Sequence, residues 1–269
     1  MNDTVIVERH HANHAIAILT FNRPAVYNAM SDELIRAFRD HSVALVGATD
    51  IRALIVRGAG KAFLAGGDVS SFHARKDDPD FAAQVIPLGD ALHDAIMAIR
   101  NMPFPVIAAI QGACAGAGVS VALACDMAIA SDQASFNTAY TKIGLSPDGG
   151  STWFLPRILG IKKATELIML ADRIDAERAL ALGLVNRVVA ADALDAEVMQ
   201  LATRLASGAT RAFANAKQLL NQSFETPMRE QMDREIALFA TCSATDDFRE
   251  GVTAFVEKRK PIFTGGNFS

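Results

Sequence analysis

Few residues of this chain are equipped for chemistry, and Asp148 is the first of them. It sits in GLSPDGG, residues 144 to 150, and is the sole acid between Asp132 and Glu166. Turn formation accounts for it, because Pro-Asp-Gly-Gly favours a tight reversal. Chemistry accounts for it too. Leu145, Trp153, Phe154 and Leu155 flank it, and a carboxylate among apolar groups holds its proton more readily than one in water, which suits proton exchange near neutral pH.

The second candidate is Gly116-Ala117-Gly118, where an apolar strand should run into a helix. Small residues there leave backbone N–H groups open at the positive end of the helix, where a developing oxyanion can sit. Tight helix packing accounts for the same residues. The third is KAFLAGGD, residues 61 to 68, an apolar segment ending in Gly66-Gly67. By itself it reads as a glycine turn, but two donor loops aimed at one atom would form an oxyanion hole. Neither stretch is a nucleotide loop. Gly116-Ala117-Gly118 lacks the third glycine of the dinucleotide fingerprint, and Gly58-Ala59-Gly60-Lys61 is followed by Ala62 where a phosphate loop carries Ser or Thr.

His10, His11, His14, His41, His73 and His93 have no metal-ligand or triad spacing, so no metal site is expected. Lys258-Arg259-Lys260 reads as a charged helix end that a phosphate-bearing ligand would find useful.

The elements that must position these residues alternate. Thr4 to Glu8 and Ala15 to Phe21 read as two strands joined by a turn. A helix follows, capped by Ser31, with Leu34, Phe38 and Val43 to Leu45 as its apolar face. Ile51 to Val56, Pro105 to Ile110 and Met127 to Ala130 read as buried strands, with helices around Leu88 to Ile99 and Gly118 to Ala124. Short apolar strands alternating with helices predict an α/β fold with mainly parallel pairing. Helical periodicity takes over at Leu194 to Leu205 and returns at Phe248 to Phe255. The expected division is a core over residues 1–205 and a helical region over 206–269.

Composition narrows the partners. With 51% apolar residues and a net charge of −4, the chain should bury a large core, and it lacks the basic excess that nucleic acid or anionic membranes select. Ile107 to Ala124 is apolar enough to raise the membrane question, but Gln111 and three glycines break it. The N-terminus has no signal-peptide pattern, and the odd set of Cys114, Cys125 and Cys242 reads as reduced packing residues. A cytoplasmic protein is expected.

Taken in order, the motifs FNRPAVYNAM (21–30), GAGKAFLAGGDV (58–69), PVIAAIQGACAGAGVSVALACD (105–126), GLSPDGGSTWFLPR (144–157), ALALGLVNRVV (179–189) and DDFREGVTAFVEKRKPIFTG (246–265) resemble the crotonase superfamily, the enoyl-CoA hydratase/isomerase family. The resemblance implies a crotonase-like spiral of ββα units, a C-terminal helical trimerisation region, and a homotrimer or dimer of trimers. It implies an acyl-CoA thioester substrate and no separate cofactor, since CoA is part of the substrate. It places the oxyanion-hole amides at Ala65 and Ala117. It places CoA contacts at Ala25, Val26 and Tyr27, at Ala65, Gly66, Gly67 and Asp68, and at Lys258 from a neighbouring subunit.

This chain departs from the family's hydratases at two positions. Ser120 and Tyr140 stand where those enzymes carry water-activating glutamates, and a tyrosine with an ordinary pKa near 10 is a poor base at neutral pH. Asp148 matches the aspartate used by certain isomerases of the superfamily, including those resembling the enzyme that turns a ring epoxide into an oxepin-CoA. An acyl-CoA isomerase is therefore expected, with Asp148 as proton shuttle and Ser120 and Tyr140 lining the acyl pocket. The alternatives are a hydratase using another base and a non-catalytic acyl-CoA-binding homologue.

Overall fold

A computed structural model describes residues 3–265. The chain opens with an antiparallel hairpin, β1 (Val5–His10) and β2 (Asn13–Phe21), in which Val5 pairs with Phe21. A 3-10 turn at Pro24–Val26 leads to α1 (Asp32–Val46), whose N-terminus is capped as expected: the Ser31 hydroxyl accepts the Leu34 N–H at 3.3 Å. Leu34, Phe38, Ser42 and Leu45 form its buried stripe. Val43 does not join them and is 53% exposed, because the 3.6-residue period passes through 42 and 45.

The middle of the chain is built from repeated units. The first comprises β3 (Ala53–Gly58), β4 (Ala62–Leu64), α2 (Val69–Arg75) and α3 (Phe81–Asn101). The second comprises β5 (Val106–Ile110), β6 (Ala113–Ala115) and α4 (Ala117–Ala124). The third comprises β7 (Met127–Ser131), β8 (Ser135–Asn137) and α5 (Ser151–Leu159). Helices α6 (Ile161–Leu170) and α7 (Ala176–Ala181), with the short strands β9 (Ile174–Asp175) and β10 (Arg187–Val189), complete the core.

Each unit gives its first strand to one sheet and its second to another. The larger sheet is 6-stranded in the order β1-β2-β3-β5-β7-β10, and the smaller is 4-stranded in the order β4-β6-β8-β9. Pairing between successive units is parallel in both, so the chain winds as a spiral of ββα turns. The larger sheet is covered on both faces, which is why its central strands are apolar without alternation. One face packs Ile16, Ile55, Ile107 and Ile129 against α8 (Leu194–Ala206). The other joins the cluster that contains Phe21, Phe38, Phe63 and Phe104.

Beyond α8 come α9 (Thr210–Gln222), α10 (Met228–Ser243) and α11 (Asp246–Val256). The expected boundary at 205/206 thus falls at the last turn of α8, a helix that belongs to the core by its packing; residues 1–2 and 266–269 of the two expected regions lie outside the described residues. Two cations tie the C-terminal helices to the sheet. Arg52 donates to the Gly208 carbonyl at 2.6 Å, the Phe263 carbonyl at 3.1 Å and the Thr210 hydroxyl at 3.0 Å. Lys217, buried on α9, donates to Asp126 and to the Ile99 carbonyl, both at 2.8 Å. No helix among the described residues is long and apolar enough to cross a membrane.

Candidate active site

The expected donor loops and Asp148 share one cavity of about 340 Å3, whose walls include Ala65 to Gly67, Ala117, Tyr140 and Asp148, with Leu88 and Leu92 of α3 beneath. The smaller sheet builds it, because β4 and β6 run side by side and each ends at one of the glycine loops.

At the second loop, Gly116 adopts φ 51° and ψ −126°, a region closed to other residues. That conformation turns the chain into α4 and leaves the Ala117 N–H, first in the helix, without a hydrogen-bond partner among the described residues. Gly118 answers the packing explanation: a Cβ there would lie 2.1 Å from the Leu64 carbonyl oxygen. The stretch therefore both leaves an amide open and packs the helix tightly, through different glycines.

The first loop requires a correction. The Ala65 N–H, expected as the other oxyanion donor, is already given to the Tyr27 carbonyl at 3.1 Å. An open amide that faces away from Met30 lies two residues on. Met30 forms a parallel bridge with this segment, donating to the Gly66 carbonyl at 2.7 Å and accepting from Asp68 N–H at 3.1 Å. The Gly66 carbonyl and the Gly67 N–H belong to one planar trans peptide, so with the carbonyl turned to Met30 the Gly67 N–H points the opposite way. Gly67 lines the cavity and its N–H has no partner among the described residues. Gly67 and Ala117 thus give the cavity one open main-chain donor from each glycine loop.

Buried polar groups that the sequence reading passed over hold this loop. Asn28, fully buried with φ 60°, donates to the Ala62 carbonyl at 2.8 Å and accepts the Arg23 N–H at 2.9 Å. Its signal was its place between Tyr27 and Ala29 in the FNRPAVYNAM motif, since asparagine tolerates the left-handed region. Arg23 pairs with Asp68 at 3.0 Å, and Asp68 also caps α2 through the Ser71 N–H at 3.2 Å. The Asp68 carboxylate is therefore occupied within the chain rather than free for a ligand. Ala25, Val26 and Tyr27 form an exposed ledge, and Tyr27 is held at φ 54°. Lys258 is exposed beyond α11 and does not line the cavity of its own chain.

At the far wall, the Tyr140 hydroxyl donates to Asp148 Oδ1 at 2.6 Å. Burial, and then the negative charge and hydrogen bond of Asp148, push the phenol's pKa well above its ordinary value, so Tyr140 is a fixed proton donor and not a base. Asp148 itself is exposed at the cavity mouth in the single chain, rather than enclosed among apolar neighbours as the sequence suggested, because Leu145 turns outward with 44% exposure. Ser120 departs further from expectation. Its side chain is fully buried behind the turn, bonded to Ser151 at 2.6 Å and donating to the Asp148 carbonyl at 3.1 Å. It anchors the Asp148 turn and does not line the cavity. One more carboxylate, Asp32, reaches the rim, where Arg75 holds it at 3.4 Å.

Two unpartnered amides and a tyrosine-bound carboxylate around one cleft define a class of site, one that stabilises an oxyanion beside a group able to carry a proton. Comparison with known proteins supplies the family. The model described as enoyl-CoA hydratase/isomerase matches residues 11–266, and the chain belongs to that family, with its crotonase fold. A "probable enoyl-CoA hydratase" of Rhodobacter capsulatus is 36% identical over 96% of this chain and 97% of its own. The 1,2-epoxyphenylacetyl-CoA isomerase of Escherichia coli K12 is 34% identical over 95% and 97%. A crystal structure of an enoyl-CoA hydratase from Polaromonas sp. JS666 superposes with a TM-score of 0.88 at 36% identity, covering 96% of this chain and 99% of that one.

Proposed function

We propose that this enzyme is an acyl-CoA isomerase. It moves a double bond, or opens an epoxide to an oxepin, through an enolate held by the main-chain amides of Gly67 and Ala117. Asp148 takes the proton from one carbon of the acyl group and returns it to another, so no water has to be activated. Tyr140 holds one carboxylate oxygen and leaves the other for the substrate. The CoA portion lies over the ledge at Ala25 to Tyr27 and the backbone of Ala65 to Asp68, and Lys258 of a neighbouring subunit in a homotrimer or dimer of trimers meets its phosphates.

The observation that carries this reading is the Tyr140–Asp148 contact at 2.6 Å on the cavity that also holds both open amides. Ser120 and Tyr140, at the hydratase glutamate positions, are a buried anchor and a hydrogen-bond donor, which speaks against hydration. The test is Asp148→Asn assayed with a 3-enoyl-CoA. Isomerisation should fall by about 10²- to 10⁴-fold, the range of general acid–base catalysis, while the affinity for the CoA ester stays within a small factor. Undiminished turnover would remove Asp148 from the mechanism. Brisk loss of the conjugated absorbance of crotonyl-CoA, with 3-hydroxyacyl-CoA formed, would favour a hydratase.

A further inference from the structure

A separate cavity of about 520 Å3 lies on the other side of the Asp148 turn. Asp148 lines the first cavity, whereas Gly149 and Gly150 line the second. The same helix floors both: Leu88 and Leu92 of α3 face the first, and Ile96, Met97 and Arg100 face the second. Ile96, Met97, Trp153 and Phe154 give the second cavity apolar and aromatic walls.

Its charges are unequal. Glu225 is compensated, accepting from Arg157 at 3.1 Å and from the Trp153 indole at 3.3 Å. Arg100 is not. Among the described residues no carboxylate lies within ion-pair distance of its guanidinium, which stacks 5.7 Å over Phe154 and donates to the Asn221 side-chain oxygen. Asp126, the acid whose charge acts on Arg100, is taken by Lys217 at 2.8 Å. A partly desolvated cation on an apolar wall is stabilised by an anion brought to it.

We propose that this cavity binds the carboxylate end of an apolar or aromatic molecule, with Arg100 as its counter-ion. Such a carboxylate has two sources, a free acid or the far end of an acyl chain that enters from the first cavity across the Asp148–Gly149 turn. The proposal stands apart from the isomerase reading, because its readout is binding and not turnover.

Trp153 is the chain's one tryptophan, so its emission reports occupancy directly. Titration of the full-length protein with 4-phenylbutyrate should change that emission saturably, and 4-phenylbutan-1-ol should bind about tenfold more weakly or worse, as expected for loss of a charge-assisted contact. Arg100→Gln should weaken phenylbutyrate by a similar factor and leave the alcohol unchanged, and Arg100→Lys should retain most of the preference. Met97→Glu supplies a variant safe for folding, since Met97 is 58% exposed; its charge should repel the acid and spare the alcohol. Equal binding of acid and alcohol, no saturable change, or full acid affinity in Met97→Glu would overturn the proposal. Competition identifies the source. Displacement of the probe by an ω-carboxydecanoyl-CoA, but not by butyryl-CoA, identifies an acyl tail; displacement by neither identifies a free acid. Displacement by butyryl-CoA would put the probe in the first cavity and also overturn the proposal.

Discussion

At the scale of single residues, the work of the site divides between side chains and main chain. A phenol held as a donor cannot remove a substrate proton, but in the proposed mechanism it fixes the carboxylate that does. Tyr140→Phe should therefore lower kcat by about tenfold, the value of one hydrogen bond to a charged group, with KM for the CoA ester little changed. A rise in KM alone would make Tyr140 a binding residue. Asp148 stood out as a candidate from its isolation in the sequence, though its exposure did not, and the open amide of Ala117 stood out from the glycines around it. The open amide of Gly67 could not be picked out, because Tyr27 takes the Ala65 N–H and Met30 takes the Asp68 N–H, partners 38 residues away in sequence in each case. Ser120 was misplaced for a related reason. Its position on α4 was correct, but its direction is set by Ser151, 31 residues away at the start of α5.

At the scale of elements, what could be read was what has a period. The strands of the larger sheet other than the three-residue β10, and the stripe of α1, are long enough to show as apolar runs or repeats, and they were found within a few residues. Strands β4, β6 and β8 have three residues each, too few to alternate, so the sheet that builds the cavity was invisible. Helix α3 begins at Phe81, before the expected start, and continues through Pro87. A proline inside a helix costs a hydrogen bond, here on an exposed turn where the carbonyl it frees can meet water, while Leu88 and Leu92 beyond it are buried. The fold-back of the segment after α11 onto Glu250 is a device no periodicity announces. Arg259, with the Ile262 N–H, holds the Glu250 carboxyl at about 2, below its ordinary 4.5. Because the folded value is the lower one, the contribution is full above about 4.5 and is lost as pH falls toward 2. Glu250→Gln should therefore be less stable than the parent chain at pH 6, with the difference in thermal midpoint vanishing near pH 2. A difference that stays constant across that range would mean the ion pair contributes nothing through its charge.

At the scale of the whole molecule, the two ends of the chain's winding have different surfaces. The ββα core buries most of its large apolar residues between sheets and helices, although Ile86, Ile161 and Met169 stay exposed, whereas α9 to α11 bury almost none of theirs. Phe224 is 71% exposed, Met228 79%, Ile236 63%, Phe239 65% and Phe255 86%. Scattered apolar residues are ordinary on a surface, but large side chains grouped on consecutive helices are the mark of a face that another protein covers. The family's trimer is the occupant this chain should choose, and a closed ring buries such a face on every copy at once. Sedimentation should accordingly return about three or six times the 28.7 kDa chain mass. Replacing Phe239 and Phe255 together by aspartate should give a monomer of unchanged helix content, since both side chains point outward in the single chain. The same substitution should weaken CoA-ester binding if Lys258, just past Phe255, reaches the phosphates of the neighbouring subunit's substrate. A variant that dissociates yet binds the ester as tightly as the parent would confine the whole CoA site to one chain. A parent chain that sediments as a monomer at assay concentrations would leave the apolar helices to a different partner.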